Sequence, residues 1–504
     1  MVMVTTEYQG KSQVTRDADG VGLALSTNQR RPVRLHGRVV RHAYPLRVAL
    51  ETLGELVWSD FQWLDEDAWQ REMDLILDPV ITVHRDRVFF EAFNQDQSAY
   101  GLVIADRGIF EDEGETICGT TNVDFTRGLW TAVRAMRSRE ETWFRVGPSG
   151  FGVSTGGGGQ HFEEKVEVPR EWVRGLLQLQ TAMGMPGTRV TMSPVDVASV
   201  VRFLRANKAY ESPRSLRFEF RPGEDTRLVL EPWEEVVELP GAAHRYIKEK
   251  VTRIWGRRRL TLIEGLLPFA SQVQVYLKGR GLPSFWAVEM PGVTFVLGMS
   301  GWTGNNWTKE SSFDLMLPES VSEEVLERVM AALAQAQGAS AKELAAAAGA
   351  DLGEVTGALG EACRRGRAIY DVQSREYRHR ELFEEPIEVE EYFPRDPRRE
   401  AGRRLLEAGE VEVLSDEFRV GAGSTRGREG SPRVFADRHV EGRCAGEEVR
   451  VVLRTDGGII FGRCSCEFFD ENLMGRGPCE HMVALRGWTE AQGSEVEGTS
   501  RNPS

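Results

Sequence analysis

Residues 463–485 read RCSCEFFDENLMGRGPCEHMVAL. Within this run, Cys464-Ser465-Cys466 and Pro478-Cys479-Glu480-His481 gather three of the chain's six cysteines and one of its eight histidines. Four donors of type Cys3His are what a closed, tetrahedral structural zinc site requires. In an extended strand, residues i and i+2 point to the same side. Cys464 and Cys466 therefore present both sulfurs to one point, and Ser465 faces away. Pro478 suits the entry to a helix, and 479–485 reads as its first turns. The positive end of that helix favours thiolates. Arg463 and Arg476 are near enough in sequence to offset the excess negative charge of three thiolates. The metal ligands predicted are Cys464, Cys466, Cys479 and His481, and the ion is Zn2+. A two-iron cluster on these residue types needs a wider gap than the single Glu480 between its last cysteine and histidine. A catalytic zinc needs a vacant position for water, and four protein ligands leave none. Cys118, Cys363 and Cys444 are isolated and stay outside the set, with Cys363 at helical spacing from Leu359 in a core.

Working outward, 449–453 and 459–461 form a hairpin around Asp456-Gly457-Gly458 that runs into Cys464. A hairpin, C-x-C, a spacer, then C-x-H opening a helix resembles the SWIM zinc finger, over residues 447–488. The match is complete at all four ligand positions. The resemblance implies a ββα module that binds protein or nucleic acid rather than one that catalyses. Over the rest of the chain, Gly301-Trp302-Thr303, Phe313-Asp314 and Tyr377-Arg378-His379-Arg380-Glu381-Leu382 look like long bacterial SWIM proteins. Those are often encoded beside MoxR-type AAA+ ATPases and von Willebrand A proteins, which implies a partner class.

The segment 319–383 carries three capping-box pairs, Ser320 with Glu323, Ser340 with Glu343 and Asp351 with Glu354, each opening a helix. Strands at 368–372 and 377–379 follow across a short polar turn. Three helices plus such a wing predict a winged helix-turn-helix. Its third helix offers Gly353, Glu354, Gly357, Ala358 and Glu361 on the expected outer side. A DNA-reading helix shows Arg, Lys, Asn or Gln there, so a protein-docking winged helix is the expectation. Phosphate contact is left to Arg364, Arg365, Arg367, Arg375, Arg378 and Arg380.

Further upstream, apolar periodicity predicts an α+β domain of unknown role at 30–150. It holds a helix from Pro45 to about Trp58, a second near Asp65, a hairpin across His84-Arg85-Asp86-Arg87 and a strand at 100–105. The four-glycine run at 156–159 reads as a linker, and 161–318 as a second α+β domain. Residues 244–260 read as a basic helix with Tyr246 and Trp255 interleaved. Lys248, Arg253, Arg257, Arg258 and Arg259 are its candidate nucleic-acid contacts, against the ordinary reading of a solvated helical face. Residues 384–391 read as a hinge, 421–431 as a Gly/Ser/Arg-rich loop and 489–504 as a polar tail. The fold class expected is therefore multidomain α+β.

At 504 residues the chain exceeds a single hydrophobic core. Its net charge of −14 argues against non-specific coating of nucleic acid, which needs clustered cations. The start lacks a basic segment before an apolar core, and no long uncharged apolar run occurs. A cytoplasmic, reducing location follows as an expectation, in which clustered thiols are metal ligands. No Walker A, G-x-S-x-G, H-E-x-x-H or Rossmann pattern is present, and triads assembled from Asp96-Gln97-Ser98 with His84, or Asp124 with His161, have no motif behind them. The expectation is a non-enzymatic adaptor that binds a protein partner, with a nucleic-acid-binding factor as the alternative.

Overall fold

The computed structural model describes residues 13–17, 20–24, 33–59, 79–123, 126–147, 150–156, 160–164, 170–302, 305–308, 311–383, 387, 389–393, 396–423 and 433–499. The expected helix near Asp65, the four-glycine run beyond Gly156, Asp124 and most of the 421–431 loop lie outside them.

An eight-stranded antiparallel sheet organises the first three hundred residues. At its centre Arg87–Phe93, Ala99–Asp106 and Val293–Met299 lie side by side. All three are apolar on both faces, as strands covered from two sides must be. Helix α1 (Ala43–Val57) lays Leu46, Ala49, Leu50, Leu53 and Leu56 on this sheet. Gly101 lets it close, because a Cβ there would come within 2.8 Å of Leu53 Cδ1. Helices α2 (Arg127–Ala135), α3 (Arg170–Gly184) and α4 (Pro194–Ala206) follow. A five-stranded sheet carries Leu35–Val39 beside Thr142–Gly147, and a four-stranded one carries Leu216–Phe220 beside Lys250–Ile254.

Two sequence expectations change here. Residues 30–150 and 161–318 do not have separate sheets, because Ala99–Asp106 pairs with Val293–Met299 from Ala99↔Met299 to Ala105↔Val293. The glycine run joins Gly150–Thr155 to Gln160–Glu164, which pair antiparallel as a hairpin. The basic helix is also absent. Lys250–Ile254 is a strand, ended by Gly256 at φ 79°, and a 3-10 helix occupies Arg257–Phe269. Val251, Thr252 and Ile254 are β-branched and pack more readily in a sheet than on a helix.

Helices α5 (Glu323–Ala336), α6 (Ala341–Ala348) and α7 (Leu352–Arg364) come next, with a three-stranded sheet of Gly338–Ala339, Glu376–His379 and Ala368–Asp371 in that order. The capping boxes of Ser340 with Glu343 and Asp351 with Glu354 form as expected. The first helix is capped instead by Ser322, whose hydroxyl accepts from the Val325 amide at 3.4 Å. The expected outer face of α7 points inward. Gly353, Gly357, Ala358 and Glu361 are buried, and only Glu354 of that set is exposed. A Cβ at Gly353 would sit 2.5 Å from Thr455 Oγ1, one at Gly357 3.2 Å from Pro318 Cγ, and one at Gly360 2.7 Å from Leu317 Cδ2. The small side chains read as a weak DNA-reading face are what lets α7 approach its neighbours.

Most arginines of this unit are engaged as well, Arg375 alone of the phosphate candidates being exposed. Arg365 pairs with Glu323 and Glu361, Arg367 with Glu327, and Arg364 with Glu361. Arg378 binds Asp86 and Asp371 at 2.7 and 2.9 Å, and Arg380 donates to the fully buried Glu91. Arg378 thereby fastens the strand pair to the turn at Asp86, and Arg380 fastens the residue just after it to the strand Arg87–Phe93.

Helix α8 (Pro397–Glu407) leads into the final sheet, β1 (Val411–Gly423), β2 (Arg433–Cys444), β3 (Glu447–Leu453) and β4 (Ile459–Cys464), paired in that order. The β1–β2 hairpin has no counterpart in the sequence reading. Helix α9 (Glu467–Asn472) and helix α10 (Glu480–Thr499) complete the chain. The expected polar tail from 489 is thus helical backbone through Thr499. No helix among the described residues is long and apolar enough to cross a membrane.

Candidate metal centre

The four predicted ligands converge. One donor atom from each of Cys464, Cys466, Cys479 and His481 lies within 4.8 Å of all the others. Cys464 Sγ stands 3.7 Å from His481 Nδ1. A tetrahedral zinc with ordinary Zn–S and Zn–N bonds sets its ligand atoms roughly 3.5–3.8 Å apart, so the donors fit that ion in type and spacing. Cys464, Cys466 and Cys479 are buried, and His481 is 9% exposed.

Local backbone chemistry places each donor. Asp456 accepts from the Gly458 amide at 2.8 Å and holds Arg454, and Gly457 takes φ 84°, which closes the β3–β4 turn. Cys464 ends β4, and Cys466 keeps an extended backbone at φ −70°, ψ 155° before α9 begins. Ser465 faces away as expected, its hydroxyl accepting from the Glu448 amide at 2.9 Å. The Cys479 carbonyl accepts from the Val483 amide at 3.1 Å, so Cys479 stands at the start of α10 and His481 in its first turn.

The thiols share their protons. A hydrogen bond from Cys479 pulls the Cys464 and Cys466 thiols below the usual thiol range. Cys479, as the donor, is pushed far up, and the bond to Cys464 lifts His481 to about 9. A divalent cation replaces these protons, so binding releases them and weakens as the solution is acidified.

Supporting residues come from far away in sequence and were missed. Arg398 Nη1 donates to the carbonyls of Arg476 and Pro478, both at 3.0 Å, and lies over the Phe468 ring. Asn305 donates to the Gly475 carbonyl at 3.4 Å and accepts from Arg476 Nε at 3.4 Å. Together they fix the loop that delivers Cys479. Arg476, expected to offset the thiolate charge, is turned to Asn305; Arg463 is exposed beside Cys464. Arg486 of α10 is buried and donates to the carbonyls of Leu315 and Leu317 at 2.7 and 2.8 Å, which ties the finger to the preceding region.

Helix α10 also packs closely on α8. A Cβ at Gly402 would meet the Glu480 carbonyl oxygen at 2.8 Å and the Ala484 nitrogen at 3.0 Å, both backbone atoms that cannot swing aside. Gly402→Ala is expected to lower stability by about 1–3 kcal/mol, read from urea denaturation, and to weaken zinc retention because α10 carries two ligands. Further along α10, burial lifts the Glu490 carboxyl to about 7, opposed by Arg486 and reinforced by its hydrogen bond with Glu319. The folded chain therefore binds this proton more tightly than the unfolded chain does. The associated stability is present below the ordinary carboxyl range and is lost as pH rises toward about 7. Glu490→Gln is expected to raise Tm at pH 8 but not at pH 4.

The nucleic-acid candidates are not brought into one surface. Arg257 and Arg259 are 7% and 0% exposed. Arg257 donates to the carbonyls of Ser215 and Glu231 and covers the Trp233 ring, while Arg259 donates to Gly301. Arg253 is bound to Glu231, and only Lys248 and Arg258 are exposed. The paper triad is also separated. Asp96 accepts from Asn94 and Ser98, whereas His84 lies beyond the other end of Arg87–Phe93, buried and neutral, its ring pushed down to about 3 mainly by burial.

Comparison with known proteins agrees with the geometry at the metal centre. Residues 449–485 match the SWIM zinc finger family, and this segment contains all four donors. No curated protein matches the sequence. Among solved structures, the chain is similar to a Proliferating Cellular Nuclear Antigen from Entamoeba histolytica, at 10% identity and TM-score 0.35. That likeness covers 53% of this chain and 98% of the other, and is too slight to carry an argument about fold or role.

Proposed function

We propose that this protein is a non-enzymatic, cytoplasmic adaptor whose zinc-folded C-terminal module and winged helix-turn-helix serve a protein partner. The observation that carries this reading is the buried face of α7. In a DNA-reading winged helix the third helix must be free to enter the major groove. Here its small residues lie against Leu317, Pro318 and the β3–β4 turn. The order of α5, α6 and α7 followed by a paired strand unit supports the winged-helix assignment. None of the six cysteines is joined in a disulfide, in keeping with a reducing compartment. The partner class that the sequence resemblance suggests is a MoxR-type AAA+ ATPase or a von Willebrand A protein.

Nucleic-acid binding through the 248–259 patch is the competing reading, and the inward position of Arg257 and Arg259 weighs against it. The two are separated by paired measurements on the zinc-loaded chain. Capture of a purified MoxR-type ATPase, lost in Cys479→Ser, is the expected outcome. Retardation of DNA that weakens steeply with salt and disappears in Lys248→Ala/Arg258→Ala would replace the adaptor reading with the other.

A further inference from the structure

Strand β4 is the edge of its sheet, with its ladder on β3 alone among the described residues. Such an edge presents unpaired backbone N–H and C=O groups that template another strand. Along it runs a groove of about 460 Å³, bounded opposite by the turn at 279–282. Consecutive residues from Ile460 to Ser465 all line it, so the groove follows the length of the strand rather than one of its faces. Gly281 brings the turn close, since a Cβ there would be 2.9 Å from Leu473 Cβ.

The side chains in the groove are of two kinds. Phe461 is 49% exposed, and Phe469 lies nearby. Arg280 and Arg463 are both exposed, and among the described residues neither has an ion-pair or hydrogen-bond partner. Most other arginines of the finger and the winged unit are bound to carboxylates or carbonyls, as Arg365, Arg450, Arg454 and Arg486 are. Asp470 is the one carboxylate lining the groove, against these two cations.

We propose that this groove receives an extended, acidic peptide segment of the protein partner, added as a fifth strand to β4. This rests on the adaptor reading and deepens it. Backbone pairing to β4 sets register and direction, alternate side chains meet Phe461, and carboxylates reach the guanidinium groups of Arg280 and Arg463. A single nucleic-acid strand would also meet cations and rings, but it cannot pair with a strand edge. The zinc ion enters indirectly, because Cys464 ends the docking strand.

The test uses the zinc-loaded full chain and a labelled peptide alternating glutamate and valine, followed by fluorescence anisotropy. Saturable binding is expected, with hydrogen exchange at 459–464 slowed by the peptide. Arg280→Ala/Arg463→Ala should weaken it by about tenfold or more, as expected for losing two charge-assisted contacts. Arg280→Ala alone, outside the finger, should keep its zinc and its Tm and still weaken binding; the zinc content of the double variant is measured beside it, because Arg463 adjoins Cys464. Absence of peptide binding, binding indifferent to the two arginines, or equal binding of oligothymidine through them would overturn the proposal. So would a dimer paired through β4, seen by sedimentation. Capture of the ATPase that persists in the double variant sinks the groove and leaves the adaptor standing. Loss of that capture in wild type sinks the adaptor while peptide binding is still read on its own.

Discussion

Removing the metal is expected to melt the C-terminal module and leave the eight-stranded sheet folded. Chelation removes the ion and Cys479→Ser one corner of its tetrahedron, and either takes away the cross-link between the end of β4 and the start of α10. Structural zinc supplies about 10–16 kcal/mol in isolated finger peptides. The loss here is smaller, because α10 keeps its packing on α8 and the Arg486 bonds to Leu315 and Leu317. We expect a drop of several kcal/mol, or a few degrees in Tm at about 1 °C per kcal/mol for a chain of 504 residues. Hydrogen exchange should accelerate across 447–488 and stay slow across Arg87–Phe93 and Ala99–Asp106. A chelated sample with the same melting curve and the same exchange map would show that the four donors are a protein core and not a metal site.

The second large effect is expected at Arg380. Its guanidinium and the Glu91 carboxylate are both completely buried, and Tyr100 donates its hydroxyl to Glu91 at 2.6 Å. Arg380→Ala leaves that carboxylate without its counter-charge, which costs about 3–5 kcal/mol for a buried pair. Replacing both partners by apolar residues of similar volume should recover most of the loss, since the pair as a whole pays heavily for leaving water. Urea denaturation of the two single variants and the double variant measures the difference. A single variant within experimental error of wild type would mean the bridge contributes nothing to holding the 368–380 strand pair on the sheet.

What the sequence discloses divides by distance along the chain. The four donors were legible because all fall within residues 464–481 and strand and helix geometry alone bring them together. The caps at Ser340 and Asp351 were legible for the same reason, since each box closes over three residues. The β1–β2 hairpin was missed because charged residues such as Asp416, Arg419 and Arg438 interrupt its apolar alternation. The 244–260 stretch was misread because its cations are spaced like a solvated helical face. Their carboxylate and carbonyl partners at Ser215, Glu231 and Gly301 lie elsewhere in the chain. The inward face of α7 was likewise invisible: glycine and alanine look like an undecorated exterior until a neighbour is known to rest on them.

The pairing of Ala99–Asp106 with Val293–Met299 has a consequence for biogenesis. These two strands are separated by about 190 positions of chain, yet they are adjacent at the centre of the main sheet. While the ribosome is still translating the intervening stretch, the earlier strand has no partner on that side. Its apolar flank waits for many seconds at ordinary elongation rates. Such long-range closure is slow and leaves a sticky nascent intermediate, so truncations ending near residue 150 should need chaperone protection and should not yield a stable fragment.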